Sequence, residues 1–384
     1  MSAVAAIGTY LPPWADGGDR VGGPDEDAVT MAVEAGSRAV GTVDRVVLVT
    51  RELPLLEGGN GAVVLAGLSL PDSVPVVEQV GGGPAVLDAI ATSSPGTLVL
   101  AADAQGAGAV LIGPGDGIEP VGRVLRSLPV RVRTADGRQY EDDDPRLVRE
   151  RGMRPGLARV LGDHKPFAVA GVSRRDTSAL CAGDPPVLPT AGASSAVFAL
   201  AALADERAAG VVAAVEQATV SALYADTGSA VVSRHEPRPR SLPSRRPSPG
   251  PDIKLSFAAY ERAFDAKVRW QAGRCPSCGT LAMPPRHRCL GCGEEGSATL
   301  VALPRTGIVY TTTTIRVGVP GIPTPYSLAI VELDDVDVRV LVTVTDAEPG
   351  AVAIGNRGRL VLRRVATRTG VPDYGFAFSP EVAA

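Results

Sequence analysis

Along the first 233 residues, short apolar runs alternate with stretches whose apolar positions recur every three or four residues. "VDRVVLVT" (43–50), "GTLVLAAD" (96–103), "GAGAVLIG" (106–113), "FAVAGVS" (167–173) and "GVVAAVEQ" (210–217) are the runs. They read as strands buried on both faces. Between them, "DEDAVTMAVEAGSRAV" (25–40), "DDDPRLVRERGMRPGLARVL" (142–161) and "ASSAVFALAALADERAA" (193–209) read as helices. The first opens on acidic residues, which suit the positive end of a helix. Alternation of this kind predicts an α/β domain with mostly internal strands. The pattern stops at "RHEPRPRSLPSRRPSPGPD" (234–252), which is rich in Pro, Arg and Ser and almost free of apolar residues. Such a stretch cannot bury itself and is expected to be an extended linker. Beyond it, "LSFAAYERAFDAKVRWQAGR" (255–274) sets Phe257, Tyr260, Phe264 and Val268 near one helical face. Then "GIVYTTTTIRV", "YSLAIVELDD", "VRVLVTVTD" and "RGRLVLRRVAT" predict the short strands of a small barrel. The expected divisions are an α/β domain over 1–233, the linker over 234–252, a helix with a cysteine module over 253–294, and a barrel over 295–384.

A chain of 384 residues is long enough for two or three domains with sizeable cores. An apolar fraction of 45% and a charged fraction of 21% fit an ordinary soluble protein. The net charge of −4 argues against a general binder of nucleic acid or membrane surfaces. Arginine replaces lysine almost everywhere; Lys165, Lys254 and Lys267 are the lysines. No Arg cluster coincides with an aromatic stripe, so the excess reads as a coding bias. The longest apolar run, "ASSAVFALAALA", falls short of the roughly 18 to 20 residues a membrane span needs. The N-terminus lacks a basic region and is interrupted by Pro12 and Pro13, so no signal peptide is expected. Paired C-x-x-C motifs in a chain of this size also fit a reducing cytoplasm better than a disulfide framework, so a cytoplasmic protein is expected.

Four of the five cysteines stand in one stretch, "RCPSCGTLAMPPRHRCLGCG". Cys275, Cys278, Cys289 and Cys292 form two C-x-x-C pairs. Each pair brings two thiolates to one ion, and the loop between lets the pairs face each other. A closed shell of four thiolates suits zinc in a structural role, since no position is left for water or substrate. Gly279 and Gly293 follow the pairs where a bend without a Cβ helps, and Pro284 and Pro285 stiffen the loop. A redox dithiol and a rubredoxin-type iron are the alternatives. His287 lies inside the loop and reads as a solvent-facing residue.

The order of these features resembles the DUF35 family: an aromatic helix, "RCPSCG", "PPR" between the cysteine pairs, then "GIVYTTTTI", "PTPYSLAIVELDD" and "GNRGRLVL". The resemblance covers residues 252–384 and implies a rubredoxin-like zinc ribbon followed by an OB-fold. It also implies partnership with thiolase-superfamily enzymes, in acyl-CoA binding and assembly. An OB-fold alone would also admit a single-strand nucleic-acid binder, which wants a basic groove with stacking aromatics. This barrel carries "VELDDVDV" instead.

The first 233 residues resemble the thiolase superfamily, nearest its HMG-CoA synthase and ketoacyl synthase III branch, in an abridged form. "AAIGTYLPPW", "DEDAVTMAVEAGSRAV", "VDRVVLVTRE", "GAGAVLIG", "AGASSAVFALAALA" and "YADTGSAVVSR" carry the likeness. The fold expected for the whole chain is thus a thiolase-like α/β domain plus a zinc ribbon and an all-β OB-fold domain. The family's chemistry implies an acyl-accepting cysteine at a helix N-terminus, where the dipole lowers its pKa. After "VPVVEQV", where it would fall, stand Gly81, Gly82, Gly83 and Pro84. The family's histidine would follow "FAVAGVS", where Arg174, Arg175 and Asp176 stand. Its asparagine would fall at Thr190, Ala191 and Gly192. Glu52 takes the place of an HMG-CoA synthase acid but reads as a polar strand end. "HKPF" (164–167) is similar to that family's HxPF but precedes its strand. Cys181 is the remaining thiol and reads as a small apolar residue. No catalytic residue is therefore assigned. The expectation is an auxiliary, non-catalytic subunit, homo- or hetero-oligomeric, working with a thiolase-superfamily partner on acyl-CoA, without nucleic acid or membrane. Coenzyme A thioester is the expected ligand, held by this chain or met through the partner. An active HMG-CoA synthase-like acyltransferase using Cys181 is the alternative.

Overall fold

The computed structural model describes residues 1–134, 137–141, 144–181, 183–250, 253–296, 298–320 and 322–381. Asp142 and Asp143, at the head of one expected helix, and the last two residues of the expected linker lie outside them. The chain forms two compact units, and neither is continuous in sequence. The first is Met1–Val21, Met31–Leu53 and Ser73–Pro239; the second is Gly22–Thr30, Pro54–Asp72 and Arg240–Ala384. The second unit therefore takes the first turn of helix α1 (Ala28–Gly36) and all of helix α2 (Asn60–Gly67).

The apolar runs of the first unit are strands, as their patterns require. A 6-stranded sheet holds β1 (Ser2–Tyr10), β2 (Arg45–Thr50), β3 (Val76–Val80), β4 (Thr97–Asp103), β5 (Gly106–Pro114) and β10 (Val231–His235), in the order β10-β1-β5-β4-β2-β3. A 4-stranded sheet holds β6 (Ile118–Val124), β7 (Ala168–Ala170), β8 (Ala209–Glu216) and β9 (Thr219–Asp226), in the order β7-β8-β9-β6. Helices α3 (Gly83–Thr92) and α6 (Ser195–Asp205) lie between the sheets, and one apolar core joins them. On β8 the alternation is plain. Val212 and Ala214 face α3 and α6, whereas Val211, Ala213 and Val215 face the outer helix α4 (Arg154–Leu161). Helix α1 covers the far side of β1: a Cβ on Gly8 would stand 2.1 Å from the carbonyl oxygen of Ala35. The layers thus run helix, sheet, paired helices, sheet, helix, which explains why the strands are apolar on both faces.

Some expected elements are broken or extended. The helix expected over 142–161 is α-helical at Pro145–Leu147, π-helical at Val148–Met153 and α-helical again in α4. Pro155 removes a backbone donor from this segment. Gly152 lies so close to β8–β9 that a Cβ would stand 2.5 Å from the Gln217 carbonyl oxygen, and wide turns of this kind accommodate such contacts. The strand expected over 167–173 stops at Ala170, because Gly171 takes φ 77° and Ser173 caps helix α5 (Arg174–Leu180). Strand β10 continues through Arg234 and His235, which pair in parallel with Thr9 and Tyr10 of β1.

In the second unit, helix α7 (Phe257–Lys267) leads into a ribbon of β11 (Gln271–Arg274), β12 (Leu281–Ala282) and β13 (Thr299–Ala302). A 5-stranded sheet follows, with β14 (Thr306–Ile315), β15 (Tyr326–Leu333), β16 (Arg339–Thr343), β17 (Arg357–Arg368) and β18 (Val371–Pro380) in the order β16-β15-β14-β17-β18. A bridge between Val344 and Phe378 joins its ends into a barrel. Arginines hold the two early segments onto this unit. The Arg364 amide donates to the Asp25 carbonyl at 2.8 Å, and fully buried Arg363 faces Glu26 at 3.4 Å and Asp346 at 3.1 Å. Arg305 donates to the Gly67 and Ala66 carbonyls at 2.6 and 3.1 Å. It thereby satisfies the last carbonyls of α2, where a cation also meets the negative end of the helix dipole.

Candidate functional site

The four expected ligands come together at one end of the ribbon. The Cys275 carbonyl accepts from Gly279 at 3.0 Å, while its amide donates to the Thr280 carbonyl at 3.0 Å. The Cys289 carbonyl accepts from Gly293 at 3.1 Å, and its amide donates to Glu294 at 2.9 Å. Both glycines have φ 76°, so the two turns repeat one geometry that a Cβ would oppose. All four Sγ atoms lie within 4.8 Å of one another, with Cys275–Cys292 at 3.8 Å and Cys278–Cys289 at 3.5 Å. A tetrahedral ion bonded to sulfur at about 2.3 Å sets its ligands about 3.8 Å apart. The cluster fits such an ion.

The titration of Cys278, Cys289 and Cys292 points the same way. The Thr280 hydroxyl and amide pull the Cys278 thiol down to about 6, and the Cys292 and Gly291 amides lower Cys289. Cys292 is pushed up to about 12: the Glu294 amide lowers it, but the neighbouring sulfurs, Cys278 foremost, outweigh that. Four adjacent thiols cannot all ionise without a cation among them. His287 is exposed and outside the cluster, and its carbonyl accepts from Gly296.

In the first unit, the N-terminus of α3 holds the position where the thiolase resemblance calls for a nucleophile. It is occupied from within the chain. The Glu216 carboxylate accepts from the Gly82 amide at 3.2 Å, and Arg51 grips the same carboxylate with two donors, Nη2 at 2.6 Å from Oε2. A Cβ on Gly82 would stand 2.5 Å from Glu216 Oε1, and one on Gly83 would stand 3.1 Å from the Ala214 Cβ. The neighbouring N-terminus, that of α6, is closed by buried Asp103. Its carboxylate accepts from the Ser194 amide at 2.9 Å, and the Ser194 hydroxyl lies 2.6 Å away. Ser194 Oγ also lies 2.8 Å from Thr190 Oγ1, so Thr190 belongs to this network. Glu52 stands beside it: burial first, and the Asp103 carboxylate second, push its carboxyl above the usual range.

The remaining candidates lie elsewhere. Arg174 and Arg175 are exposed at the start of α5, and Asp176 pairs with Arg149. His164 is exposed. Cys181 packs with the core on the α4 side of the smaller sheet, opposite the side that holds α3. Burial pushes its thiol up to about 11, leaving little thiolate at neutral pH. Nothing in the spacing of Arg51, Asp103, Ser194 and Glu216 marks them in the sequence; folding alone makes them neighbours.

The C-terminal OB-fold domain model of ChsH2 matches residues 300–363. The benzoylsuccinyl-CoA thiolase subunit BbsA of Thauera aromatica is 30% identical over 140 residues, which are 35% of this chain and 94% of that protein. The chain belongs to this DUF35-type OB-fold family. Among solved structures, the Ltp2-ChsH2(DUF35) aldolase is 25% identical, at a TM-score of 0.27, over 36% of this chain and 100% of that one. A 3-oxoacyl-(acyl-carrier-protein) synthase III is 15% identical at a TM-score of 0.46, over 59% of this chain and 99% of that one. Among the described residues, no helix is long and apolar enough to cross a membrane.

Proposed function

We propose that this chain is a non-catalytic, auxiliary subunit of a cytoplasmic acyl-CoA complex in which a thiolase-superfamily partner forms or cleaves the carbon–carbon bond. The observation that carries the reading is the N-terminus of α3. An acyl-carrying thiolate belongs there in a thiolase-type enzyme, and residues 81–84 supply none. The space beside Gly82 is given to Glu216, whose charge is neutralised by Arg51. A fixed carboxylate there would oppose the negative charge that develops during acyl transfer. The kinship with BbsA, a thiolase subunit, supports the class of complex. In this reading, Cys275, Cys278, Cys289 and Cys292 hold a structural zinc, and the coenzyme A thioester is met through the partner.

Native mass spectrometry of the tagged protein purified from its own host tests this. A thiolase-superfamily chain in fixed stoichiometry is the expected result. A bare homodimer that turns over acyl-CoA, with covalent labelling lost in Cys181→Ala, would overturn it.

A further inference from the structure

The ribbon has no apolar core of its own. Between Cys275 and Leu303, no described residue is buried. What packing it has is between small groups: a Cβ on Gly273 would stand 2.8 Å from the Ala298 Cβ and 3.0 Å from that of Pro285. Its strands β11, β12 and β13 are only 4, 2 and 4 residues long. The root of the ribbon differs. Val268, Trp270 and Ala272 are buried, and the Trp270 ring centre lies 5.1 Å from that of Phe376 on β18. Trp270 Nε1 also donates to the Pro304 carbonyl at 2.9 Å. The barrel beneath buries Val309, Val331, Leu360 and Phe378. The fold of residues 276–302 therefore depends on the four sulfurs and their ion, whereas the root and the barrel are held by apolar packing.

The sulfurs are unevenly covered. Cys275 is buried, Cys289 is half-buried, and Cys278 and Cys292 are exposed. Cys278 and Cys289, one from each turn, bring their Sγ atoms to 3.5 Å, whereas those of Cys275 and Cys292 stand at 3.8 Å. Oxidation of cysteine follows exposure and thiolate character, and a metal ligand is held as thiolate. The remaining thiol, Cys181, packs against the core on the α4 side of the smaller sheet. The exposed edge of the cluster is thus the part of the chain most open to an oxidant.

We infer that the ribbon is a redox switch: hydrogen peroxide joins Cys278 to Cys289, and residues 276–302 open while the barrel stays folded. In the first step the Cys278 thiolate attacks one peroxide oxygen. The O–O bond breaks, hydroxide leaves, and the sulfur becomes a sulfenic acid. In the second, the Cys289 thiolate attacks that sulfur, forming the S–S bond and expelling a second hydroxide. Two solvent protons turn both hydroxides into water, and two electrons have passed from the sulfurs to the peroxide. Cys275 and Cys292 then remain, two ligands where a structural zinc needs four. This switch rests on the zinc reading of the cluster, not on the acyl-CoA reading.

Treatment of the full chain, purified with its metal, with hydrogen peroxide tests the switch. Before oxidant, zinc is expected at about one per chain; its absence would overturn the zinc reading and the switch together. After peroxide, zinc read by a chelating dye should be lost from the protein, and peptide mapping without reductant should show a Cys278–Cys289 disulfide. Dithiothreitol with added zinc should restore the cluster. Backbone hydrogen exchange over residues 276–302 should quicken at least about tenfold, with β14 to β18 unchanged. Chelation without oxidant should open the same residues, which separates the part played by the ion from that of the disulfide. Cys181→Ser should lose zinc to peroxide as the unaltered chain does. Zinc retained under peroxide, a disulfide made through Cys275, oxidation that reaches Cys181 first, or a barrel that loses protection with the ribbon would each overturn the switch and leave the zinc reading standing. A ribbon that stays protected after chelation would do the same.

Discussion

Glu52 is half-buried beside the Asp103 carboxylate, and both features raise its pKa above the ordinary 4.5. An acid raised in the folded state binds its proton more tightly there than in the unfolded chain. Its contribution is therefore fully present below pH 4.5 and is lost as pH climbs through the raised value. At pH 7 the ionised group is a burden. Glu52→Gln should raise the melting temperature at pH 7, and the gain should shrink as the pH is lowered toward 4.5 in thermal scans. The cysteines give the second expectation at this scale. Cys289→Ser leaves three thiolates for an ion that needs four, so zinc measured by a chelating dye should fall from about one per chain to near zero. Exposed His287 cannot replace the lost ligand, so His287→Ala should leave zinc content unchanged.

Among elements, the closest approach is that of α1 to β1. Gly8 allows it by having no side chain on the face opposite the core residue Ile7. Gly8→Ala places a Cβ 2.1 Å from the Ala35 carbonyl oxygen, a backbone atom that no rotamer change can move. The cost is expected to be about 3 kcal/mol or more, read as a shift in the urea midpoint. The same economy of space operates at α3. Three glycines bring β3 into that helix, and the room at Gly82 is taken by Glu216. Glu216→Ala removes the acceptor for the Gly82 amide and the partner of Arg51. A loss of about 1–2 kcal/mol is expected, within the range for helix capping contacts, again read by urea unfolding.

At the scale of the molecule, the second unit depends on residues far upstream in the chain. Arg363 has no exposure, and one of its carboxylates, Glu26, comes from the segment Gly22–Thr30. Removing one partner of a buried ion is costlier than the pair is worth, because the other charge stays buried. Glu26→Ala should therefore destabilise the second unit by about 3 kcal/mol. The chain's two tryptophans allow the check, since Trp14 lies in the first unit and Trp270 in the second. In a Trp14→Phe background, Trp270 fluorescence reports the second unit alone, and Glu26→Ala should lower its urea midpoint. The sequence by itself determined the local features. Two-sided apolar runs specified β2, β4, β5 and β8, and the spacing of the cysteines specified one four-sulfur cluster, because both patterns are set by neighbours a few residues apart. Only the tertiary structure decided that Glu216 and Arg51 meet at Gly82, that Asp103 closes the N-terminus of α6, and that residues 22–30 and 54–72 join the second unit. Those contacts join residues up to several hundred positions apart. They follow from how strands order themselves and how buried charges find partners, which no local periodicity records.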